Sequence, residues 1–252
     1  MKNQPEKQNI KVTLSYDGTE YNGYQTQKNG IGVEDIIDKT LAKIHGSSVA
    51  VICAGRTDSG VHAEGQVINF FTDKINMSKE NWIGFFNSEL PSDIRVMDVD
   101  FVSPDFNARR SAKAREYWYR IVKGYTVSAI ISRYTVACPI RDLNIDLIRE
   151  YTSYLVGIHD FTSFCSTKDV NPHKIREIKS IVTEEENGII TIKIIGNAFL
   201  YNMIRIIIGT IFMLTKEGAQ PEKMKELLDA KNRKLTGSTA PAKGLIFKKV
   251  YY

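Results

Sequence analysis

Residues 10–16 alternate apolar and polar side chains, which predicts a strand with one buried face. Val33, Ile36, Ile37, Leu41 and Ile44 then recur at helical spacing. Glu34 and Asp35 lie in the first turn of that helix, where its dipole favours acids, and Gly46 supplies the stop. An apolar run over 49–54 and an alternating run over 66–71 predict two further strands. A helix over 77–87 is broken by Leu90-Pro91, and a strand follows over 94–102. In the second half the pattern predicts a helix over 145–155 and a mobile basic loop over 168–176. Strands over 178–185 and 189–196 should form a hairpin turning at Asn187-Gly188. A strongly apolar helix over 198–217 carries Arg205 in its midst, a shorter one over 221–230 opens at Pro221, and a strand closes the chain over 245–252. Mixed strands and helices of this kind predict an α+β protein, divided near Ser103-Pro104 into halves 1–104 and 105–252.

At 252 residues the chain is long enough to bury a substantial core, as one large domain or two small ones. A net charge of +5 permits a polyanionic partner without demanding one. Cys53, Cys138 and Cys165 are odd in number and widely spaced, which argues against a disulfide framework or a thiolate metal site and fits a reducing compartment. The opening residues are polar and carry no apolar leader. The most apolar run, over 203–214, is interrupted by Arg205 and Gly209, so no membrane span is expected. The expected location is the cytoplasm.

Charge is unevenly placed. Between residues 106 and 125 stand Arg109, Arg110, Lys113, Arg115, Arg120 and Lys123 against a single acid, Glu116. Phe106, Tyr117, Trp118, Tyr119 and Tyr125 are interleaved with them. Cations that grip phosphate, set among rings that stack on bases, make an RNA footprint. An amphipathic strand with a solvated basic face explains the charges equally well but not the concentration of rings.

The chemistry concentrates in Gly55-Arg56-Thr57-Asp58-Ser59-Gly60-Val61-His62-Ala63, between the strands over 49–54 and 66–71. Glycines near Asp58 let the loop bend sharply and admit another molecule. A polar turn whose Asp and Ser bond their own backbone is the bland alternative. Arg56, two residues before the carboxylate, suits a site where phosphate is gripped beside a reacting base.

That string closely resembles the catalytic loop of the tRNA pseudouridine synthase A family. Residues 16–27 are similar to the family's second signature, with Tyr24 where tryptophan is usual. Phe106-Asn107-Ala108-Arg109 with Arg115-Glu116-Tyr117-Trp118-Tyr119 resembles the third, residues 197–205 the fourth, and Gly244-Leu245 the motif that supplies a pocket leucine. The resemblance implies two similar halves of mostly antiparallel sheet, with helices on one side, flanking a basic cleft. It implies conversion of uridine to pseudouridine at tRNA positions 38 to 40, by a homodimer that needs no cofactor and no metal. Asp58 would be the nucleophile, on base or sugar, and Tyr117 the ring that stacks on the flipped base. Arg205 would pair with Asp58 and keep it ionised, and Leu245 would line the uracil pocket. Arg56, Arg109, Arg110 and Arg115 would hold the substrate.

Three rival functions have partial support in the sequence. His62-Ala63-Glu64 opens like a zinc deaminase signature, but the Pro-Cys-x-x-Cys that must follow is missing. Asp58, Ser59 and His62 lack the Gly-x-Ser-x-Gly setting of a hydrolase nucleophile, which leaves His62 a structural residue of the loop. The alternative from another class is a catalytically silent module that binds or folds tRNA. Turnover of an unmodified transcript separates it from the enzyme.

Overall fold

The computed structural model describes residues 7–28, 30–140 and 143–252. The polar opening at 1–6, expected to hold no leader, lies outside them. Among the described residues are ten strands and five α-helices, an α+β chain as the pattern predicts. They fall into two units. One runs to Lys113 and takes in Phe247–Tyr252; the other is Ala114–Ile246.

The first unit holds β1 (Gln8–Tyr16), α1 (Val33–His45), β2 (Ile52–Cys53), β3 (His62–Thr72), α2 (Lys79–Glu89) and β4 (Ile94–Val102). Its sheet runs β4-β1-β3, antiparallel throughout, and the final strand β10 (Leu245–Tyr251) lies next to β3. Ile10, Val12 and Leu14 of β1 face the same side as Ile68 and Phe70 of β3, and all five are buried. Both helices cover that side. His45 of α1 stacks on Trp82 of α2 at 6.2 Å, and Phe70 meets both rings edge-on. Gly46, at φ 75°, closes α1 as expected, and the Ser78 hydroxyl caps α2 by accepting from the Asn81 amide.

The sequence boundary at 104 falls short. Residues 105–113 are bound into the first unit by two buried asparagines that pattern reading passes over. Asn69 accepts from the Ala108 amide at 2.8 Å and donates to Asn9 Oδ1 at 2.9 Å. Asn9 in turn donates to the carbonyls of Ser103 and Phe106, both at 2.9 Å. Satisfied in this way, polar groups are stable inside a core, and removing one partner would strand the others. The chain end is fastened to the same segment: the Tyr252 hydroxyl donates to Ala108 and the Lys113 amide to Tyr251.

The second unit holds β5 (Ala114–Lys123), β6 (Val136–Cys138), α3 (Ile145–Ser153), β7 (Gly157–Asp160), β8 (Ile175–Glu186), β9 (Ile189–Gly196), α4 (Met203–Glu217) and α5 (Glu222–Asp229). Its sheet runs β5-β9-β8-β7, antiparallel, with the short β6 parallel to β5. Asn187 and Gly188 both take positive φ, 51° and 74°, and make the expected two-residue hairpin between β8 and β9. Tyr119 and Ile121 of β5 and Ile190, Ile192 and Ile194 of β9 are wholly buried on one face.

Three expected elements come out differently. The strand over 49–54 shrinks to β2, because only Ile52 and Cys53 pair with β3 before the chain turns into the Asp58 loop. The apolar helix begins at Met203, not 198: Asn197 folds its side chain back to accept from the amides of Ala198 and Glu177, and Asn202 adopts φ 62°. The basic loop over 168–176 is tied down, since Lys174 reaches Asp169 at 3.3 Å and β8 starts at Ile175.

Candidate active site

In the first unit Asp58 sits half-buried on the loop between β2 and β3, with Arg56 exposed and Thr57 buried beside it. The loop is clasped by the segment after β1. Tyr24 donates its amide to the Thr57 carbonyl at 3.1 Å, and the Tyr21 carbonyl accepts from the Gly60 amide and the Ser59 hydroxyl, both at 3.3 Å. The Tyr16 and Thr57 hydroxyls share a bond of 2.8 Å, and Gln66 donates to Gly55 at 2.6 Å. Gly23, at φ +87°, lies so close that a Cβ there would stand 2.5 Å from the Thr57 carbonyl oxygen. The two motifs read separately from the sequence therefore form one rigid piece, and the carboxylate is displayed from it.

His62 is buried and takes the structural part expected of it. Its Nδ1 accepts from the Gly18 amide at 3.0 Å, a further tie between the two segments. Burial also raises Cys53, whose thiol is pushed up to about 11, and keeps the Tyr24 phenol well above its ordinary value. The Tyr24 ring is buried, and its hydroxyl finds no protein partner among the described residues. A buried hydroxyl without a partner costs about 1–3 kcal/mol. Tyr24→Phe is therefore expected to stabilise the fold by about 1 kcal/mol in urea unfolding, and a loss of stability would show the hydroxyl to be engaged.

The basic stretch divides. Asn107 Oδ1 accepts from the amides of Arg109 and Arg110, at 3.1 and 2.9 Å, in a turn that leaves both side chains exposed. Arg115, on β5 of the second unit, is only 9% exposed and donates Nη1 to the Asn197 carbonyl at 2.7 Å. It joins β5 to the segment that leads into α4. Tyr119 is core, with its hydroxyl on the Pro241 carbonyl at 2.9 Å, whereas Trp118 faces the other way and carries Lys193 over its ring at 4.8 Å. The period-two alternation of a strand separates rings that the linear sequence groups together.

Tyr117 is buried to 8% exposure, and its ring meets the edge of Phe199 at 5.2 Å and 81°. Arg205, in the first turn of α4, is half-buried; its Nε donates to the Ala240 carbonyl at 2.8 Å and its Nη1 to Asn202 Oδ1 at 3.0 Å. The Ala240 amide returns a bond to the Arg205 carbonyl at 3.0 Å. At Gly209 the helix backbone touches this same segment, where a Cβ would lie 1.7 Å from the Ser238 carbonyl oxygen. From Ala240 the chain passes under the Tyr119 hydroxyl to Leu245, which is buried. The second unit thus links the strand of Tyr117, the helix of Arg205 and the start of β10 through residues 236–245. Phe199, Asn202 and Ala240 were missed from the sequence. Asn202 lay within a quoted motif, but the significance of an asparagine at a left-handed position shows only in the backbone.

These features define an α+β protein with a clasped loop carboxylate in one unit and an anchored arginine and tyrosine in the other. The sequence pattern of the tRNA pseudouridine synthase family matches residues 13–109 and 152–252, and the chain belongs to that family. It is 40% identical over 245 residues to the tRNA pseudouridine synthase A of Bacillus pumilus (strain SAFR-032), covering 96% of this chain and 98% of the relative. It is also 40% identical over 245 residues to the protein of that name from Clostridium acetobutylicum, covering 97% and 99%. A relative of the same name in Exiguobacterium sibiricum is 38% identical over 96% of both chains.

Proposed function

We propose that this protein isomerises uridine to pseudouridine in tRNA, at positions 38 to 40 of the anticodon stem-loop, with Asp58 as nucleophile. The supporting observation is the half-buried Asp58 on a loop held by the 16–24 segment, in a chain whose residues 13–109 and 152–252 match the family. The reaction breaks the bond from N1 to C1′ of the ribose, turns the base and closes a bond from C5 to C1′. The C5 proton leaves and N1 gains one, so atoms and electrons balance without cofactor or metal. What the protein must provide is an anionic nucleophile, a pocket for the loose base and a stacking face for a base taken out of its stack.

In this reading Tyr117 stacks on the extruded uracil, Leu245 lines its pocket and Arg205 supplies the positive partner of Asp58. Arg56, Arg109 and Arg110 grip phosphates, and Arg115 supports the substrate-binding strand through Asn197. The working species is a homodimer in the cytoplasm. No helix among the described residues is long and apolar enough to cross a membrane.

The test is conversion of an unmodified tRNA transcript in a single turnover, with the product located by mapping. A silent binding module would retain the transcript and yield no pseudouridine. The phosphate contacts are tested by salt dependence: each should contribute a log–log slope of roughly −0.7 to −0.9 to tRNA affinity. Replacing Arg109 and Arg110 together by alanine should flatten the slope by about two such increments, and an unchanged slope would place both side chains off the RNA.

A further inference from the structure

Outside the residues assigned to the proposed site, one ionic cluster in the loop before β8 connects to Arg205. Asp169 and Lys174 are largely buried, with side-chain exposures of 13% and 17%. The Asp169 carboxylate accepts from the Asn171 amide at 2.8 Å, the Tyr201 amide at 3.2 Å and the Cys165 thiol at 3.3 Å. Lys174 Nζ lies 3.3 Å from Asp169 Oδ1 and donates to the Asp169 carbonyl at 3.1 Å and to Cys165 Sγ at 3.3 Å. Burial works to raise this carboxyl, but the bonds it accepts outweigh burial and hold it below the ordinary value, so it stays an anion.

Its reach is what matters. Tyr201 has both backbone groups taken by this loop: its amide by Asp169, and its carbonyl by the Ser166 amide at 3.0 Å. The next residue, Asn202, stands in the left-handed region at φ 62°. Asparagine tolerates that region better than other side chains, and here the bonds of Tyr201 on one side and of Arg205 on the other fix it in place. Asn202 is also the residue whose Oδ1 accepts from Arg205 Nη1. A continuous path therefore runs from Lys174 through Asp169, Tyr201 and Asn202 to the guanidinium.

We infer that Asp169 is a positioning residue for the isomerisation: by pinning Tyr201 it holds Asn202 in its left-handed turn and so aims Arg205. Cys165 and Lys174 serve it by fixing the carboxylate. The inference rests on the proposed role of Arg205, and its test is chosen so that the two can fail separately.

The experiment measures single-turnover rate, kcat, KM and tRNA affinity for Asp169→Ala in the full-length protein, on material whose folded fraction is determined by circular dichroism. A loss of kcat of about tenfold or more is expected, with KM and tRNA affinity within about threefold of wild type. In an Asn202→Gly background, where glycine takes the left-handed turn without strain and the link to Arg205 is already gone, the same substitution should change kcat by less than about threefold. If Asp169→Ala does not fold, Asp169→Asn takes its place. Its amide oxygen keeps the Oδ1 position beside Lys174 and the Asn171 amide, so its N–H faces the Tyr201 amide, that bond is lost, and kcat should still fall by about threefold or more. An unchanged kcat in the folded variant, a fall in affinity instead of kcat, or full additivity with Asn202→Gly would each overturn the inference. If Arg205→Met keeps wild-type kcat, the proposed role of Arg205 fails first; if only the Asp169 variants behave as wild type, that role stands and the positioning role of Asp169 is gone.

Discussion

Asp58→Asn is expected to abolish turnover of tRNA uridine while tRNA affinity stays within about threefold of wild type. The amide is nearly the same size as the carboxylate, so the loop has no steric reason to move. Its shape is set by other groups: Tyr24 and Tyr21 hold its backbone, Tyr16 bonds Thr57, and Gln66 bonds Gly55. The substitution removes the negative charge and keeps the size of the side chain. An amide oxygen is too weak a nucleophile to form the covalent intermediate that lets the base detach and turn. Binding rests on phosphate contacts made by other side chains, so affinity should survive. The measurement pairs single-turnover product with filter binding of the same transcript. Residual activity within about tenfold of wild type would remove Asp58 from the nucleophile's role, and equal loss of binding would show the charge to be part of the fold.

Much of this architecture was legible because it repeats. The alternation of β1, the β8–β9 hairpin with Asn187-Gly188 and the amphipathic α1 ending at Gly46 each carry a periodic signal over several residues, backed by turn or cap chemistry. What stayed hidden depends on single long-range contacts. Asn9 and Asn69 lie sixty residues apart in sequence, yet their bond and those to Ser103, Phe106 and Ala108 decide where the first unit ends. Residues 198–202 are as apolar as a helix requires, but Asn197 draws their start into side-chain bonds and the helix waits until Met203. The site was legible differently, as strings of residue types whose roles the family resemblance implies. It did not distinguish Arg109 and Arg110, which face solvent, from Arg115, which is spent on Asn197, because burial is not written in a run of cations.

Arg205→Met should lower kcat by about a hundredfold or more, with tRNA affinity nearly unchanged. Methionine fills similar apolar space among Met203, Ile204, Ile206 and Ile207, so the helix should form. Two charge-assisted bonds are lost, to Ala240 and Asn202, and with them about 1.5–3 kcal/mol each at most. A cation that merely emerged at the helix surface would show none of these anchors and its loss would be nearly silent. Arg205→Lys gives the decisive comparison. Lysine keeps the charge but cannot present two directed donors to two separate oxygens, so it should recover part of the rate and little of the stability. If Arg205 also supplies the counter-charge of Asp58, removing it makes the carboxylate easier to protonate. The acid limb of the pH–rate profile then moves to higher pH, and the loss is largest below neutrality. In Arg205→Lys that limb should stay close to wild type. A methionine variant whose profile overlays wild type at every pH would take Arg205 out of the reaction and leave it as the anchor of residues 236–245.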